Sequence, residues 1–196
     1  FDARLAEGRV RECHGDLHLG NLIVLEGEPR LFDAIEFSAE LRWTDVVADI
    51  AFLVMDLQVR GQDLLANRFL NAWLERSGDY AGLRLLPWYV SYRAMVRAKI
   101  AAIRAGQVEG EARTQSVAEC ARYLALAAAQ ARPTAPALLI ASGVSGSGKS
   151  SQSQPLVEQC GVIRVRADVE RKRLFGLDAD ARSASPLGGG LYSAEA

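Results

Sequence analysis

The chain has 196 residues, of which 49% are apolar and 24% charged, and its formal net charge is −1. That length can form one domain or two, and the balanced charge gives no support for a polyanion-binding surface, so nucleic acid is not expected as a partner. Cys13, Cys120 and Cys160 form no C-x-x-C pair, and the apolar runs are too short to cross a bilayer, so we expect a cytoplasmic protein with reduced thiols and no membrane segment.

Both histidines of the chain lie in one short segment, "HGDLHLGN" (residues 14–21). Two apolar runs follow, "LIVL" and "RLFDAIEF", and the turn "EGEP" separates them. Short apolar runs on either side of a glycine turn predict a β-hairpin over residues 22–37, with polar groups at its far end.

Four helices are predicted after the hairpin, because apolar residues recur at helical spacing. Pro87 opens the third helix, which stops near Gly106, and the fourth runs from about Glu109 to Ala131. We expect these helices to pack against one another. The residues predicted to share a face are Val46, Ile50, Leu53 and Leu57 in the first helix, Leu65, Phe69, Ala72 and Trp73 in the second, Trp88, Tyr92, Met95, Lys99 and Ile103 in the third, and Val117, Ala121, Leu124 and Ala128 in the fourth.

A boundary is predicted in "ARPTAP" (residues 131–136), where two prolines forbid a continuing helix and stiffen a short connector. We therefore expect one domain over residues 1–131, a linker over residues 132–136 and a second domain over residues 137–196. Beyond the boundary, "ALLIASGVSGSGKSS" reads as strand, glycine loop and helix, and "GVIRVRAD" as a second strand. This order is typical of an α/β domain with a parallel sheet.

The segment "GVSGSGKS" fits the pattern G-x-x-x-x-G-K-[ST] at every defined position. Its glycines let successive N–H groups point at phosphate oxygens, and the positive end of the following helix attracts the same anion. Lys149 would reach the β- and γ-phosphates, and Ser150 would hold magnesium. The alternative is a glycine-serine turn that happens to contain a lysine, but the strand before it and the helix after it favour a P-loop. The residues assigned to nucleotide binding are Gly143, Val144, Ser145, Gly146, Ser147, Gly148, Lys149, Ser150 and Ser151.

Pro155 predicts a kink or an early end of the helix after the P-loop, because an interior proline removes a hydrogen bond at a cost of ~3 kcal/mol. Asp168 ends the second predicted strand, at the edge where α/β sheets gather ligands, and Arg171 and Arg173 follow it. Two interpretations of Asp168 stay open. It is either a catalytic residue that orients or deprotonates an acceptor hydroxyl while the arginines hold charge, or an N-cap before a solvated basic helix.

Residues 14–21 resemble the kinase catalytic loop H-x-D-L-x-x-x-N, and Asp33 then stands where kinases carry the metal-binding aspartate of D-F-G. The resemblance implies that Asp16 is the catalytic carboxylate, which receives or orients the acceptor hydroxyl. It also implies that Asn21 and Asp33 are ligands of magnesium on the nucleotide phosphates.

The same resemblance implies supporting roles for three further residues. His14 would shape the loop, and His18 would lie beside the site, able to contact phosphate. For His18 the alternative is a loop histidine with no catalytic part. Asp49 resembles the aspartate that braces the catalytic loop from the following helix, and an ordinary aspartate near a helix N-terminus is the alternative.

The wording "HGDLHLGN" followed by "LFDAIEF" resembles the aminoglycoside phosphotransferase and choline kinase branch of the kinase-like fold. Gly15 stands where protein kinases carry an arginine, and Asp33-Ala-Ile lacks the phenylalanine and glycine of D-F-G. In protein kinases that arginine reads a phosphorylated activation loop, and the phenylalanine of D-F-G serves as a switch. Neither mode of control is expected here.

With "RADVERKRLFGL" closing the second half, the whole order resembles bacterial fused proteins in which an aminoglycoside-phosphotransferase-like domain precedes a P-loop kinase-like ATPase domain. The second half is further similar to small-molecule kinases such as gluconate kinase and chloramphenicol phosphotransferase. The resemblance implies an α/β protein, with the helical C-lobe of a kinase-like fold and its β-hairpin, followed by the start of a P-loop parallel sheet. It also implies ATP and Mg²⁺ as cofactors and a small-molecule substrate.

Measured against such proteins, little sequence precedes His14 for a nucleotide-binding N-lobe, and little follows the P-loop for a Walker-B strand and a lid. We therefore expect an internal fragment of a longer protein, with weak or no turnover by itself and apolar surface exposed where the other parts would pack.

Three functional classes are compared. The first is an ATP-dependent phosphotransferase acting on a small-molecule hydroxyl, which the joint presence of Asp16, Asn21 and Asp33 favours. The second is a nucleotide-sensing regulatory protein with a degenerate kinase-like half, and the third is a polynucleotide end kinase. A helix face with Arg93, Arg97 and Arg104 would steer an anionic substrate or, as is more common, simply face solvent. The acceptor and the oligomeric state stay open.

Overall fold

A computed structural model describes residues 2–132, 135–144 and 146–181 of the chain. Ser145, residues 133–134 of the expected linker and residues 182–196 of the expected second domain lie outside the described residues. The chain divides into two compact units, one made of Phe1–Ala66 with Ala81–Leu138, and the other of Asn67–Tyr80 with the residues from Leu139 onward.

The described residues are mostly helical. The helices are α1 (Asp2–Ala6), α2 (Ala39–Arg42), α3 (Val46–Val59), α4 (Asp63–Ser77), α5 (Leu86–Gln107), α6 (Gly110–Gln130), α7 (Lys149–Cys160) and α8 (Ala167–Leu174), with 3-10 turns at Leu19–Asn21 and Tyr80–Arg84. The strands are β1 (Val10–Glu12), β2 (Leu22–Leu25), β3 (Glu28–Leu31) and β4 (Trp43–Asp45). No helix in this part of the chain combines the length and apolar character that crossing a lipid bilayer requires.

The predicted hairpin is confirmed as the antiparallel pair β2–β3. Glu26 and Gly27 connect its strands, and both have positive φ, at 54° and 81°. A two-residue connection with this backbone matches the right-handed twist of the strands, which explains the tight turn. A second antiparallel pair, β1–β4, brings the chain before the HGD loop (residues 14–21) next to the start of α3.

The core of the first unit is built on α3, which packs on α5, while α5 packs along α6. Residues Val47–Leu57 of α3 are all buried, including its aspartates. The predicted face of this helix is therefore confirmed at Ile50, Leu53 and Leu57.

The predicted face of α5 is wrong, because Trp88 and Tyr92 are 61% and 52% exposed. Instead, α5 buries small residues on another side, among them Ala94 and Ala98. Short side chains allow neighbouring helices to approach closely, and the large aromatic residues then remain outside, where Trp88 and Tyr92 stack with ring centroids 5.6 Å apart.

The faces predicted for α4 and α6 are displaced by about one residue. In α4 the buried apolar residues are Ala66, Leu70 and Leu74, whereas Leu65 is half exposed. In α6, Tyr123 is buried in place of Leu124. An apolar residue stands directly beside each of these buried positions, so the pattern alone does not fix the register.

The parallel sheet expected for the second unit is absent from the described residues, since residues 135–144 and 161–166 form no strand. The side chain of Asn71 explains part of this result. Its Nδ2 donates to the Val162 carbonyl at 3.1 Å, and its Oδ1 accepts from the Arg164 N–H at 2.8 Å. These are the groups that a neighbouring strand would otherwise bind.

The early helix end predicted at Pro155 is also wrong, because α7 continues to Cys160. Arg164 stabilises the helix on the N-terminal side of the proline. Its Nη1 donates to the Ser150 carbonyl and to Gln154 Oε1, both at 2.9 Å. Hydrogen bonds from a charged donor partly offset the bond that proline removes.

Candidate active site

One stripe of α3 holds the HGD loop by its backbone. Asp49 accepts hydrogen bonds from the N–H groups of His14 and Gly15, each at 3.0 Å. One turn further on, the ring of Phe52 lies 5.2 Å from that of His18, and Asp56 accepts from the Leu19 N–H at 2.9 Å. Because these residues of α3 are spaced by three and four, they share one face, and the loop is bound along its length.

Asp49 is 7% exposed. Burial raises the pKa of its carboxyl above the ordinary value, although the two N–H groups that it accepts favour the charged form. Arg93 lies close enough to oppose the increase as well. Asp49 thus binds two N–H groups of the HGD loop, and its role as the loop-bracing aspartate stays a prediction.

His14 connects the loop to the chain that leaves the hairpin. Its ring Nε2 lies 2.9 Å from the Phe32 carbonyl, and its own carbonyl accepts from the Ile35 N–H at 3.0 Å. Because a carbonyl only accepts, Nε2 carries the hydrogen. The other ring nitrogen, Nδ1, is buried without a hydrogen-bond partner among the described residues.

Gly15 is required by the shape of the loop. Its φ is +82°, which L-residues with a side chain rarely adopt, and a Cβ atom there would lie 3.0 Å from Ile35 Cδ1. The residue after it, Asp16, is thereby turned away from the core with 41% of its side chain exposed.

Two neighbours fix the carboxylate of Asp16. His18 Nε2 lies 3.3 Å from Oδ2, and Asn21 Nδ2 donates to the same oxygen at 3.2 Å. His18 Nδ1 accepts from the Gly20 N–H at 3.0 Å, so the hydrogen of this ring is on Nε2, the nitrogen that lies 3.3 Å from Asp16 Oδ2. Both contacts fall on Oδ2, which leaves Oδ1 to accept a proton from an incoming group.

The hairpin brings Asn21 and Asp33 to the same end. Leu22 pairs with Leu31, and the Phe32 N–H donates to the Asn21 carbonyl at 3.1 Å, so Asp33 follows the residue opposite Asn21. Asp33 has a φ of +58° and an exposed side chain that makes no hydrogen bond or ion pair with the described residues.

This pair suits magnesium by its chemistry. The Asn21 amide nitrogen is bound to Asp16, which leaves the amide oxygen as a ligand, and Asp33 offers a carboxylate that has no partner within the described part of the chain. No group of three or more histidine, cysteine, aspartate or glutamate side chains is arranged for a metal ion in the described parts of the chain. One or two oxygen ligands are what Mg²⁺ takes from a protein when phosphate oxygens and water complete its shell.

In the second unit, the P-loop leads into α7. Gly146 and Gly148 have φ near +78° and +79°, and Gly148 caps the helix. Lys149 Nζ donates to the carbonyls of Gly143 and Val144, each at 2.7 Å. Its ammonium group therefore lies inside the loop. The remaining predicted ligands follow in order along the chain: Ser147 in the loop, and Ser150 and Ser151 in the first turn of α7.

Asp168 lies in the first turn of α8 and not at the end of a strand. Its carboxylate pairs with Lys172 Nζ at 3.0 Å, one turn along the same helix. The N-cap position is Arg166, so the N-cap interpretation of Asp168 is wrong by two residues. Arg171 is half-buried in the last turn of α8.

Two arginines make contacts that sequence analysis does not predict. Arg164 holds the start of α7, as described above, and Arg93 contacts the HGD loop from α5, donating to the Gly15 carbonyl at 3.2 Å. The solvated face expected for Arg93 is therefore wrong. Neither residue belongs to a local motif, and only the packing of distant segments shows their positions.

Comparison with known families divides the chain in the same order. Residues 1–86 match the family described as Phosphotransferase enzyme family, and residues 138–194 match the one described as AAA domain. The predicted order of a kinase-like half followed by a P-loop half is confirmed by these matches.

Curated relatives include an uncharacterised protein of Mycobacterium bovis and uncharacterised proteins from two strains of Mycobacterium tuberculosis. Each is 35% identical over 193 residues, which are 98% of this chain and 38% of the relative. The chain thus spans less than half the length of the curated relatives it matches. No solved structure gives a significant match.

Proposed function

Because the chain joins a phosphotransferase-family segment to a P-loop segment, we propose that the protein is an ATP-dependent kinase that phosphorylates a hydroxyl group of a small molecule. The observation that carries this proposal is the geometry of Asp16. A half-exposed carboxylate stands on a loop whose backbone is bound by Asp49, with one oxygen occupied and the other free to meet a substrate.

In this proposal Asp16 orients the acceptor hydroxyl and receives its proton. The Asn21 amide donates to Oδ2, and His18 Nε2 lies 3.3 Å from the same oxygen, so Oδ1 would be the oxygen that meets the substrate. Fixing a carboxylate in advance lowers the entropic cost of reaching the transition state. His18 therefore acts through Asp16 and not on phosphate.

Asn21 Oδ1 and the Asp33 carboxylate would hold Mg²⁺. When bound, the ion neutralises charge on the phosphate oxygens of the nucleotide. The chain itself would hold Asn21 beside Asp16 and Asp33 at the open end of the hairpin, one residue beyond Phe32, whose N–H donates to the Asn21 carbonyl.

The P-loop half would bind a second nucleotide. Lys149 Nζ already lies among the loop carbonyls, and a phosphate group that enters the loop would replace those carbonyls as its partner. Ser150 and Ser151 present hydroxyl groups at the start of α7, where the helix N-terminus favours an anion.

A transfer assay tests the proposal. The protein, expressed from its complete reading frame, is incubated with magnesium, γ-labelled ATP and a panel of amino sugars, amino alcohols and sugar acids. Asp16→Asn keeps the size of the side chain and its contacts to His18 and Asn21, but it cannot take a proton. We expect it to lower kcat by about 10²–10⁴-fold with little change in the KM for ATP.

Glu7→Gln is the matched control, since Glu7 is an exposed carboxylate with no hydrogen bond or ion pair to the HGD loop. It should keep the wild-type rate. Label transfer that Asp16→Asn leaves unchanged would contradict the proposed function.

A further inference from the structure

Arg93 is placed to hold the peptide group that precedes Asp16. Its Nη2 donates to the Gly15 carbonyl at 3.2 Å, and its guanidinium carbon lies 4.7 Å from the centre of the Phe52 ring. The ring of His18 also contacts Phe52, with ring centroids 5.2 Å apart. Arg93 thus reaches from α5 across α3 to the HGD loop, which carries no arginine of its own.

Arg93 and Asp49 bind opposite ends of the same residue. Asp49 accepts the N–H of Gly15, and Arg93 donates to its C=O. Because that carbonyl belongs to the peptide bond with Asp16, fixing it fixes the Cα position of Asp16. A guanidinium group forms directional bonds that a flexible ammonium group reproduces poorly.

The positive charge of Arg93 also interacts with the carboxylates of Asp49 and Asp16. Asp49 and Asp16 are the two carboxylates whose attraction favours the charged guanidinium, while burial opposes it. A buried carboxylate such as Asp49 requires compensation, and Arg93 supplies a positive charge beside it.

Burying an arginine at this position costs free energy, which argues that the side chain does more than pack against Phe52. Its Nε–H is buried without a hydrogen-bond partner among the described residues. An apolar side chain of similar length, such as methionine, would cover Phe52 without an unsatisfied donor.

We propose that Arg93 is a positioning residue for phosphoryl transfer, which sets the place of Asp16 through the Gly15 carbonyl. This inference rests on the proposed function, in which Asp16 orients and accepts the proton of the substrate hydroxyl.

A spectroscopic experiment reads the contact itself. Labelling the 196-residue chain with carbonyl-¹³C glycine and ¹⁵N aspartate selects Gly-Asp peptide bonds, which occur at Gly15–Asp16 and Gly78–Asp79. Asp16→Asn removes the first signal and so assigns it. In Arg93→Met we expect the Gly15 carbonyl resonance to move by more than its linewidth while the Gly78 resonance stays in place. An unmoved Gly15 resonance would overturn the inference.

Kinetics then separate positioning from packing, with the protein expressed from its complete reading frame. Arg93→Met should lower kcat about 10- to 100-fold, with the KM for ATP within about twofold. Arg93→Lys restores a donor and should recover part of kcat. Arg113→Met, at an exposed position of α6, should behave as wild type.

Wild-type kcat in Arg93→Met, or a loss that Arg93→Lys does not relieve at all, would overturn the positioning role. Failure of the proposed function is recognised separately, because Asp16→Asn is measured in the same assay. Transfer that survives Asp16→Asn removes the role of Asp16, and with it the catalytic part of this inference, whatever the spectrum shows.

Discussion

Asp49 shows how a single residue couples the loop to the core. Its oxygens accept from two backbone N–H groups that point into the protein, at His14 and Gly15, and those groups would otherwise be buried without partners. The motif predicts Asp16, Asn21 and Asp33 as site residues because their spacing is local. Arg93 could not be predicted, since its contact with Gly15 spans 78 positions of sequence.

Replacing Asp49 by asparagine should expose this coupling. The amide leaves one N–H of the loop without an acceptor, so we expect the free energy of unfolding to fall by about 1–3 kcal/mol in the acid range. Burial raises the pKa of Asp49 above its ordinary 3.8, so the folded chain binds this proton more tightly than the unfolded chain. The stability due to this group is therefore full below about pH 4 and decreases as pH rises through the folded pKa.

Urea unfolding of wild type and Asp49→Asn at pH 4 and pH 7 measures the effect. The difference between the two proteins should be larger at pH 4. A difference that grows toward pH 7 would mean that the carboxylate is favoured by folding, against the direction given by its burial.

Cys13 precedes the HGD loop, and its thiol should react slowly with alkylating reagents. Burial raises the pKa of its thiol to about 11, and the charges of Asp49 and Asp45 add to the increase. Because the thiolate is the reactive form, Cys13 should be alkylated at pH 8 far more slowly than the exposed Cys160. Mass spectrometry of peptides after timed treatment with iodoacetamide checks the order, and labelling of Cys13 at the rate of Cys160 would contradict it.

At the scale of elements, the hairpin could be predicted from its short apolar runs and glycine turn, although its strands are largely exposed. Helix α3 could be predicted because its apolar pattern and its burial agree. The faces of α5 and α6 could not, since α5 buries mainly alanines and not its largest apolar residues, and α6 buries Tyr123 in place of Leu124. The prediction of strands in the second unit is wrong for another reason. Asn71, a residue of α4, takes hydrogen-bonding groups of residues 162–164 that a strand ladder needs.

Asn71→Leu tests that explanation. The side chain keeps its size but leaves the Val162 carbonyl and the Arg164 N–H without their partner, so we expect hydrogen exchange at the Arg164 amide to accelerate by about 10-fold or more. Gln154→Leu is the control, because Gln154 contacts the Arg164 side chain and not its backbone. Equal exchange rates at the Arg164 amide in wild type and Asn71→Leu would contradict the proposed role of the two Asn71 hydrogen bonds.

The turn at Gly15 also belongs to this scale, because it sets the path of the whole loop. Gly15 and Gly27 have nearly the same φ, at +82° and +81°, but only Gly15 has a neighbour, Ile35, where a Cβ would lie. Alanine at either position meets backbone strain of about 1–2 kcal/mol, and at Gly15 the contact with Ile35 adds to it. Thermal unfolding should therefore show Gly15→Ala as the less stable variant, and equal midpoints would contradict this.

At the scale of the molecule, the sequence predicts two phosphate-handling halves, and the family matches confirm their order. The two halves differ in how much of their structure could be predicted from the sequence. The first half holds its site by α3, the hairpin and α5, so its residues converge in space. The second half places Lys149 within the P-loop, while its expected sheet is absent from the described residues.

The central claim is that each half carries its own residues for a magnesium nucleotide. Titration calorimetry of magnesium-ATP into the protein expressed from its complete reading frame tests it most directly. We predict two sites, of which Lys149→Ala removes one and Asp33→Ala weakens the other by about 10-fold or more. Lys99→Ala, at an exposed position of α5, should leave both intact. Binding that neither Lys149→Ala nor Asp33→Ala changes would contradict the account.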